Sequence, residues 1–179
     1  MPDERLPASV LTQNLSEILK YSLADPEKFV PLSEEVRYLK KYVEIQKARF
    51  GDQFIFYYEV EEGLEDFPVF RLMLQPLVEN SILHGIRYRT GRGYVKLKAL
   101  KRKGRVRFSV IDTGVGMTKD ALRALMNTIQ DYDSRSIGLS NVNCRLKLYY
   151  GKGSGITVLS KRGMETVVEF SVPYREEKQ

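Results

Sequence analysis

The first feature of this sequence that could do chemistry is an aspartate at the end of an alternating segment, followed at once by two glycines. Arg105-Val-Arg-Phe-Ser-Val110 alternates apolar and polar residues as a half-buried strand does. It runs into Val110-Ile-Asp-Thr-Gly-Val-Gly-Met117, which presents Asp112 with Gly114 and Gly116 behind it. A carboxylate there can accept a hydrogen bond from an amine. Glycines there can take positive φ and let a ligand come close to backbone N–H groups. Alone, the pattern also describes a strand ending in an ordinary Asp-Gly turn.

Three further groups sit at compatible distances. Asn80 and His84 are four residues apart on a helical stretch and share a face, with Leu77 near it and Glu79 beside Asn80. An asparagine oxygen is a hard, neutral ligand suited to Mg²⁺, which takes few protein groups and keeps waters and phosphate oxygens. Asn80 also reads as a surface amide. His84 reads as a last-turn histidine at a helix C-terminus, with no second histidine to make a zinc pair. Ser136-Ile-Gly138-Leu139-Ser140-Asn141 puts a glycine turn at a helix N-terminus, where free N–H groups and the dipole favour phosphate. Arg145, four residues after Asn141, could add a guanidinium. Gly163-Met-Glu-Thr166 places a hydroxyl before the last strand.

The elements that would hold these groups can be read along the chain in order. Leu11, Leu15, Ile18, Leu19 and Ser22 recur at helical spacing over about 8–23, and Asp25-Pro26 breaks that helix. A second helix begins after Pro31-Leu32, with Ser33 as N-cap and Gly51 as its end. Two such helices in succession resemble part of a bundle or dimerisation module, or simply pack on the domain beyond residue 50. Phe54–Val60 reads as a strand. Pro68 opens a helix over 69–85, interrupted by Pro76, where it must bend or lose a hydrogen bond. Tyr94–Leu100 and Arg105–Asp112 form a hairpin turning at Lys103-Gly104. Thr118 caps a helix over 119–129, a polar stretch spans 130–136, and a helix runs from 137 to about 150. Strands Ile156–Ser160 and Thr166–Pro173 close the chain as a hairpin. The order of strands and helices predicts an α+β sheet with helices on one face.

Composition narrows the classes. With 179 residues, 42% of them hydrophobic, the chain can bury one good core with a smaller helical appendage. No apolar run approaches membrane-spanning length, and Met1-Pro-Asp-Glu-Arg is no signal peptide, so a soluble chain is expected. A single cysteine, Cys144, cannot make an internal disulfide and fits a reducing cytosol; Val142, Leu146 and Leu148 around it predict a structural thiol. The net charge of +6 gathers in Arg87–Arg92 and Lys96–Arg105, which lack the interleaved aromatics of a nucleic-acid surface and suit a polyanionic nucleotide. No nucleic-acid partner is expected.

Taken together, ENxxxHG, DxGxGM, IGLSN and GxxT, in this order, closely resemble the N, G1, G2 and terminal boxes of the GHKL (Bergerat-fold) ATPases. Leu74-Gln-Pro-Leu-Val-Glu-Asn-Ser-Ile-Leu-His-Gly and Gly138-Leu-Ser-Asn-Val-Asn-Cys-Arg-Leu-Lys-Leu-Tyr-Tyr-Gly resemble, more narrowly, LytS-type sensor histidine kinases. The likeness extends upstream to Tyr38–Phe50 and covers nearly all of 33–173. It implies a two-layer α/β sandwich with a mixed sheet, preceded by N-terminal helices. It divides the chain into 1–31, the end of a dimerisation and phosphoacceptor helical region, and 32–175, the catalytic and ATP-binding unit, with helix 33–50 as connector.

The same resemblance implies roles for the residues. Asp112 would bind the adenine amine, with Thr166 helping through a water, and Asn80 would ligate Mg²⁺. Gly114 and Gly116 would shape the start of a mobile ATP lid running to about Ser136, and Met117 would belong to the nucleotide-binding set. Gly138, Leu139, Ser140, Asn141 and Arg145 would lie near the phosphates, and His84 would line the pocket. Four residues before the Mg²⁺-binding Asn, where many relatives carry an acid or amide, stands Pro76. Glu79 is therefore the nearest carboxylate and the candidate base, about a quarter-turn or more from Asn80. Ser136 replaces the first glycine of the second glycine box, and Glu165 replaces that of the last. The implied activity is transfer of the γ-phosphoryl of ATP to a histidine. A GHKL ATPase or serine kinase, or a non-catalytic nucleotide-binding regulator, are the other readings. Because the one histidine lies in the nucleotide box, the acceptor is expected on a helix outside this sequence. The expected parent is a homodimeric inner-membrane receptor with this portion in the cytoplasm, served by a response regulator receiver domain.

Overall fold

Strand register decides which side chains of this molecule reach one another. The computed structural model describes residues 6–25, 28–131 and 138–174. Along the chain come α1 (Ala8–Leu23), β1 (Phe29–Pro31), α2 (Leu32–Phe50), β2 (Phe54–Val60), β3 (Pro68–Phe70) and α3 (Gln75–Asn80). They are followed by β4 (Gly93–Arg102), β5 (Arg105–Asp112), α4 (Lys119–Gln130), α5 (Leu139–Tyr150), β6 (Thr157–Ser160) and β7 (Thr166–Pro173). Five strands form one mixed sheet in the order β2-β4-β5-β7-β6, with β2 parallel to β4 and the other pairs antiparallel.

Alternation puts one row of each strand inside. Leu97, Val110, Val168 and Val158 line up across four strands, as do Ala99, Phe108 and Phe170 across three, and all are buried. The Phe108 and Phe170 rings stack at 5.1 Å. Truncating either ring to alanine should cost about 3–5 kcal/mol. Leu39 and Val43 of α2, Leu77 and Val78 of α3, and Val142 and Leu146 of α5 join the same core. On the other face Tyr57 and Leu159 stay about half exposed. This is the expected α+β, two-layer arrangement.

Several elements differ from the sequence expectation. Pro68 starts no helix. It belongs to β3, which pairs antiparallel with β1 in a small second sheet, and β1 has no counterpart in the sequence expectation. Backbone pairing wins there because the short apolar runs 29–31 and 68–70 bury Val30, Val69 and Phe70 together. The extended β1 reaches Pro31, so α2 begins directly at Leu32; Ser33, the expected cap, gives its N–H to the Glu65 carbonyl. Helix α3 starts at Gln75, which puts Pro76 in its first turn, where the missing N–H is harmless and no bend is needed. Beyond Asn80 the helix widens into a π turn over Ser81–Gly85. The last helix begins at Leu139; Ser136 and Ile137 lie outside the described residues.

Helix α1 also turns a different side inward. Asn14, Ile18 and Tyr21 are buried, whereas Leu15 and Leu19 are half exposed. Its contact with α2 is polar: Asn14 Nδ2 donates to Glu44 at 2.7 Å, and Lys41 pairs with Glu17 at 2.9 Å. Cys144 is exposed, against the expectation of a structural thiol, and Leu148 beside it is 74% exposed. Their face of α5 looks into a cavity instead of the core. Among the described residues, no helix is long and apolar enough to cross a membrane.

Candidate functional site

The last inward position of β5 is Asp112, and register sets Thr166 of β7 on one side of it and Val95 of β4 on the other. Asp112 is 1% exposed and Thr166 3%. A row that carries apolar residues elsewhere in the sheet therefore ends in a carboxylate and a hydroxyl. Asp112 Oδ1 accepts the Gly114 N–H at 2.8 Å, which turns the chain sharply and leaves carboxylate lone pairs for a ligand. Thr166 Oγ1 and Ser160 Oγ lie 2.8 Å apart, and Ser160 Oγ accepts the Met117 N–H at 3.0 Å.

The loop after Asp112 is held on both sides. Val115 gives its N–H to Gly85 and accepts that of Gly163 at 2.7 Å. Gly116 takes φ +63° and lies where a Cβ would collide with the Lys161 carbonyl. Both conditions demand glycine. Asn80, His84, Gly85, Asp112, Gly116, Met117, Leu125 and Thr166 enclose a chamber of about 260 Å³. Burial pushes the Asp112 carboxyl above the usual aspartate range, opposed by the Gly114 N–H and by the buried Ser81 hydroxyl beside it. That hydroxyl completes no well-formed hydrogen bond among the described residues, so it acts through its dipole. A mostly apolar chamber with a buried carboxylate acceptor suits a flat heterocycle bearing an amino group.

A larger cavity of about 730 Å³ shares Asn80 and His84 with this chamber, so the two meet there. Its walls include Pro76 and Glu79 of α3 and Gly138–Arg145 of α5. Gly138, at φ +114°, is the N-cap of α5 and makes no side-chain hydrogen bond, so this wall carries the start of a helix, where the backbone dipole favours an anion. Asn141 is exposed on the wall. Ser140 instead gives its hydroxyl to the Thr128 carbonyl at 3.0 Å, tying α5 to the end of α4. Arg145 lines the cavity while its Nη1 donates to the Arg71 carbonyl at 2.8 Å and its guanidinium covers Phe70. The Leu139 side chain is buried and contributes apolar wall.

The structure thus gathers Asn80, His84, Asp112, Gly116, Met117 and Thr166 around one chamber and Glu79, Gly138–Asn141 and Arg145 around the next. Gly114 shapes the loop from behind. The lid expected over 113–136 contains the ordered helix α4, and 132–136 lie outside the described residues. Among the described residues no cluster of three His, Cys, Asp or Glu side chains could hold a metal. An ion at Asn80 would take its other ligands from phosphate oxygens and water, as Mg²⁺ does, so the donor set fits.

Sequence reasoning missed three contributors. Gly85 closes ENxxxHG with no role of its own in the sequence, yet a Cβ there would press on Asp112. Asn143 is buried, donating to the Ile129 carbonyl at 2.8 Å and accepting the Ile156 N–H at 2.9 Å, so it joins α4, α5 and the strand behind them. An asparagine amid apolar helix positions is the available signal. Glu35, 1% exposed on α2, reads in sequence only as a first-turn acid.

Comparison with known proteins agrees with this geometry. The profile described as "Histidine kinase-, DNA gyrase B-, and HSP90-like ATPase" matches residues 65–176, and that of "Histidine kinase" matches 3–54. An uncharacterized sensor-like histidine kinase of Staphylococcus epidermidis is 31% identical over 168 residues, 93% of this chain and 32% of that protein. The sensor protein kinase HptS of Staphylococcus aureus strain USA300 is 29% identical over the same shares. The chain thus spans about a third of the length of the curated relatives it matches. In fold, the catalytic domain of histidine kinase ThkA superposes with a TM-score of 0.57 at 19% identity, covering 84% of this chain and 99% of that one. Full-length ShkA in complex with AMPPNP gives 0.61 at 20% identity, covering 94% and 36%.

Proposed function

This chain belongs to the family of histidine kinase-, DNA gyrase B- and HSP90-like ATPases, as a catalytic domain of the sensor histidine kinase kind, and from that premise we propose that it transfers the γ-phosphoryl group of ATP to a histidine carried elsewhere. The observation that carries the reading is the meeting of two chambers at Asn80 and His84. One ends in a buried carboxylate, the other at the N-terminus of α5, where the N-cap is Gly138. Adenine enters the smaller, its amine donating to Asp112, and the triphosphate extends past Asn80 toward Gly138 and Asn141. Guanine would turn a carbonyl toward Asp112 and leave a buried acceptor unpaired, at a cost of about 1–3 kcal/mol or more.

Mg²⁺ on Asn80 would neutralise charge on the phosphates during transfer. The chain's own residues do the positioning. The α5 N–H groups hold phosphate oxygens, and Glu79, on the cavity wall, is our candidate for accepting the second ring N–H of an incoming imidazole so that the other nitrogen attacks. We further infer the narrower LytS-type grouping from the segments 74–85 and 138–151. On this reading 1–31 belongs to the dimerisation and acceptor helices and 32–175 to the catalytic unit of a homodimeric membrane receptor. A response regulator would then take the phosphoryl group. The solved complex of ThkA with the response regulator protein TrrA supports such a partner for that protein.

Calorimetry on Asp112→Asn tests the core of the proposal. We expect ATP affinity to fall at least about tenfold with the fold intact, since losing the charged acceptor at a buried site costs more than about 1.4 kcal/mol. Equal affinities in the two proteins would remove Asp112 from the site.

A further inference from the structure

One buried carboxylate of this molecule is not part of either chamber. Glu35 stands in the first turn of α2 with both oxygens engaged. Oε2 accepts the Tyr21 hydroxyl at 2.6 Å and the Leu72 N–H at 3.1 Å, and Oε1 accepts the Leu74 N–H at 3.0 Å. Burying a carboxylate is costly unless donors converge on it, and here they come from two separate places. Tyr21 belongs to α1. Leu72 and Leu74 belong to the four-residue segment that leads from β3 into α3.

That segment is unusual in itself. Leu72 has φ +57°, a left-handed conformation that costs a branched residue about 1 kcal/mol or more. Its N–H points to Glu35 in that conformation, so the carboxylate holds the bend. Leu72 and Ser22, the neighbour of Tyr21, both line the larger cavity. The Arg71 carbonyl receives Arg145 of α5, and the Arg71 guanidinium lies 5.0 Å above the Tyr21 ring. Tyr21 is further fixed by stacking on Tyr38 of α2 at 3.9 Å. Helix α1, the start of the Asn80-bearing helix and the α5 wall therefore all meet through Glu35 and the adjoining Arg71 and Leu72.

We propose that Glu35 is a positioning residue for the nucleotide site, and that through Tyr21 it couples the seating of α1 on α2 to nucleotide affinity. The inference rests on the nucleotide-binding reading above. Without the Tyr21 hydroxyl, Glu35 is a buried acid with two donors. With one donor fewer, its hold on Leu72 weakens, and the segment relaxes toward right-handed backbone. Pro76 and Asn80 lie at the two ends of the short helix this segment launches, and the Arg145 acceptor moves with it. By thermodynamic linkage, bound nucleotide favours the seated α1 by the same factor that seating favours nucleotide.

The test uses the whole chain, with ATP and Mg²⁺ titrated by calorimetry at a temperature where circular dichroism shows every variant folded. Tyr21→Phe removes one oxygen and keeps the stacked ring; its affinity should fall about fivefold or more, the lower range of measured couplings. Glu35→Gln should fall at least as far, because the amide must set an N–H against one of the donors. Val172→Ala, at the far end of β7, serves as a core variant that loses stability and keeps its affinity. Hydrogen exchange should show nucleotide slowing the Leu72 and Leu74 amides and α1 in the wild type, and α1 no longer responding in Tyr21→Phe. Should Glu35→Gln fail to fold, Tyr21→Phe decides alone. A wild type that binds while Tyr21→Phe binds within twofold of it sinks this inference only, and reduces Glu35 to a turn-holding contact. A wild type that binds no nucleotide sinks both this inference and the reading beneath it.

Discussion

Gly85 faces Asp112 so closely that a Cβ built on the glycine would stand 2.5 Å from the carboxylate Oδ1. Its backbone, at φ −93°, suits any residue, so the demand for glycine here is one of space alone.

Gly85→Ala should therefore separate binding from folding. The added methyl must push Asp112 or the loop beyond it, an overpacking cost of about 1–3 kcal/mol. Because Asp112 is the group displaced, ATP affinity should drop more than about tenfold while the melting midpoint moves only a few degrees. Calorimetry and thermal unfolding on one preparation check both, and an alanine variant that binds normally would show that the carboxylate has room to spare.

Asn80→Ala addresses the metal. If its amide oxygen is a Mg²⁺ ligand, the gain in ATP affinity on adding Mg²⁺ should shrink by about tenfold, equivalent to about 1.4 kcal/mol. Adenosine, which brings no phosphate to the ion, should bind both proteins alike. Titrations with and without chelator settle it; an unaltered Mg²⁺ effect would make Asn80 a plain wall residue.

The Asp112 carboxyl gives a stability prediction with a definite sign. Burial raises its folded value above 3.8, the value of an ordinary aspartate. Between that value and the raised one the native state keeps a proton the unfolded chain has lost, so this group makes stability fall as pH rises through the window. Below 3.8 its penalty is absent. Melting curves from acid to neutral pH should show a smaller fall for Asp112→Asn than for wild type, and parallel curves would contradict a raised value. Glu35, also held above the glutamate value of 4.5 by burial, adds a fall of the same sign in both proteins.

With ATP and Mg²⁺ this chain should not label itself on histidine. His84 is the only histidine in the sequence and lines both chambers on the π turn behind Asn80. In-line transfer needs the acceptor at near-contact distance from the γ-phosphorus, and His84 can reach such a pose only if that turn unwinds. Acid-labile, base-stable radiolabel on the isolated chain would overturn this.

How far the sequence can be read depends on whether a signal is local. Asp112, Gly116 and the Lys103-Gly104 turn come from short-range alternation and backbone needs, and each stands where expected. Pro68 and Pro76 mislead because a proline marks a start, a bend or a strand edge alike; the pairing of β1 with β3, some 40 residues apart, makes Pro68 a strand residue, and the late start of α3 puts Pro76 in its first turn. The same holds for Glu35 and Asn143. Their partners come from remote backbone and, for Glu35, from the Tyr21 hydroxyl, so nothing adjacent in sequence distinguishes them from surface polar residues. Leu15 and Leu19 share an apolar stripe in the sequence and are half exposed in the fold, because α1 meets α2 through amide, carboxylate and lysine groups.

Asp112 and Thr166 share a rung of the sheet, and that has a consequence for how the molecule matures. Slipping β5 against β7 by one residue would invert one of the two strands, turning Arg107 or Glu169, which pair at 2.6 Å on the outer face, into the core and expelling Phe108 or Phe170 with it. A misaligned sheet is thus rejected by its own interior before any nucleotide is met. Proofreading of the strand pairing and the placing of Asp112 beside Thr166 are one event, completed when the sheet closes.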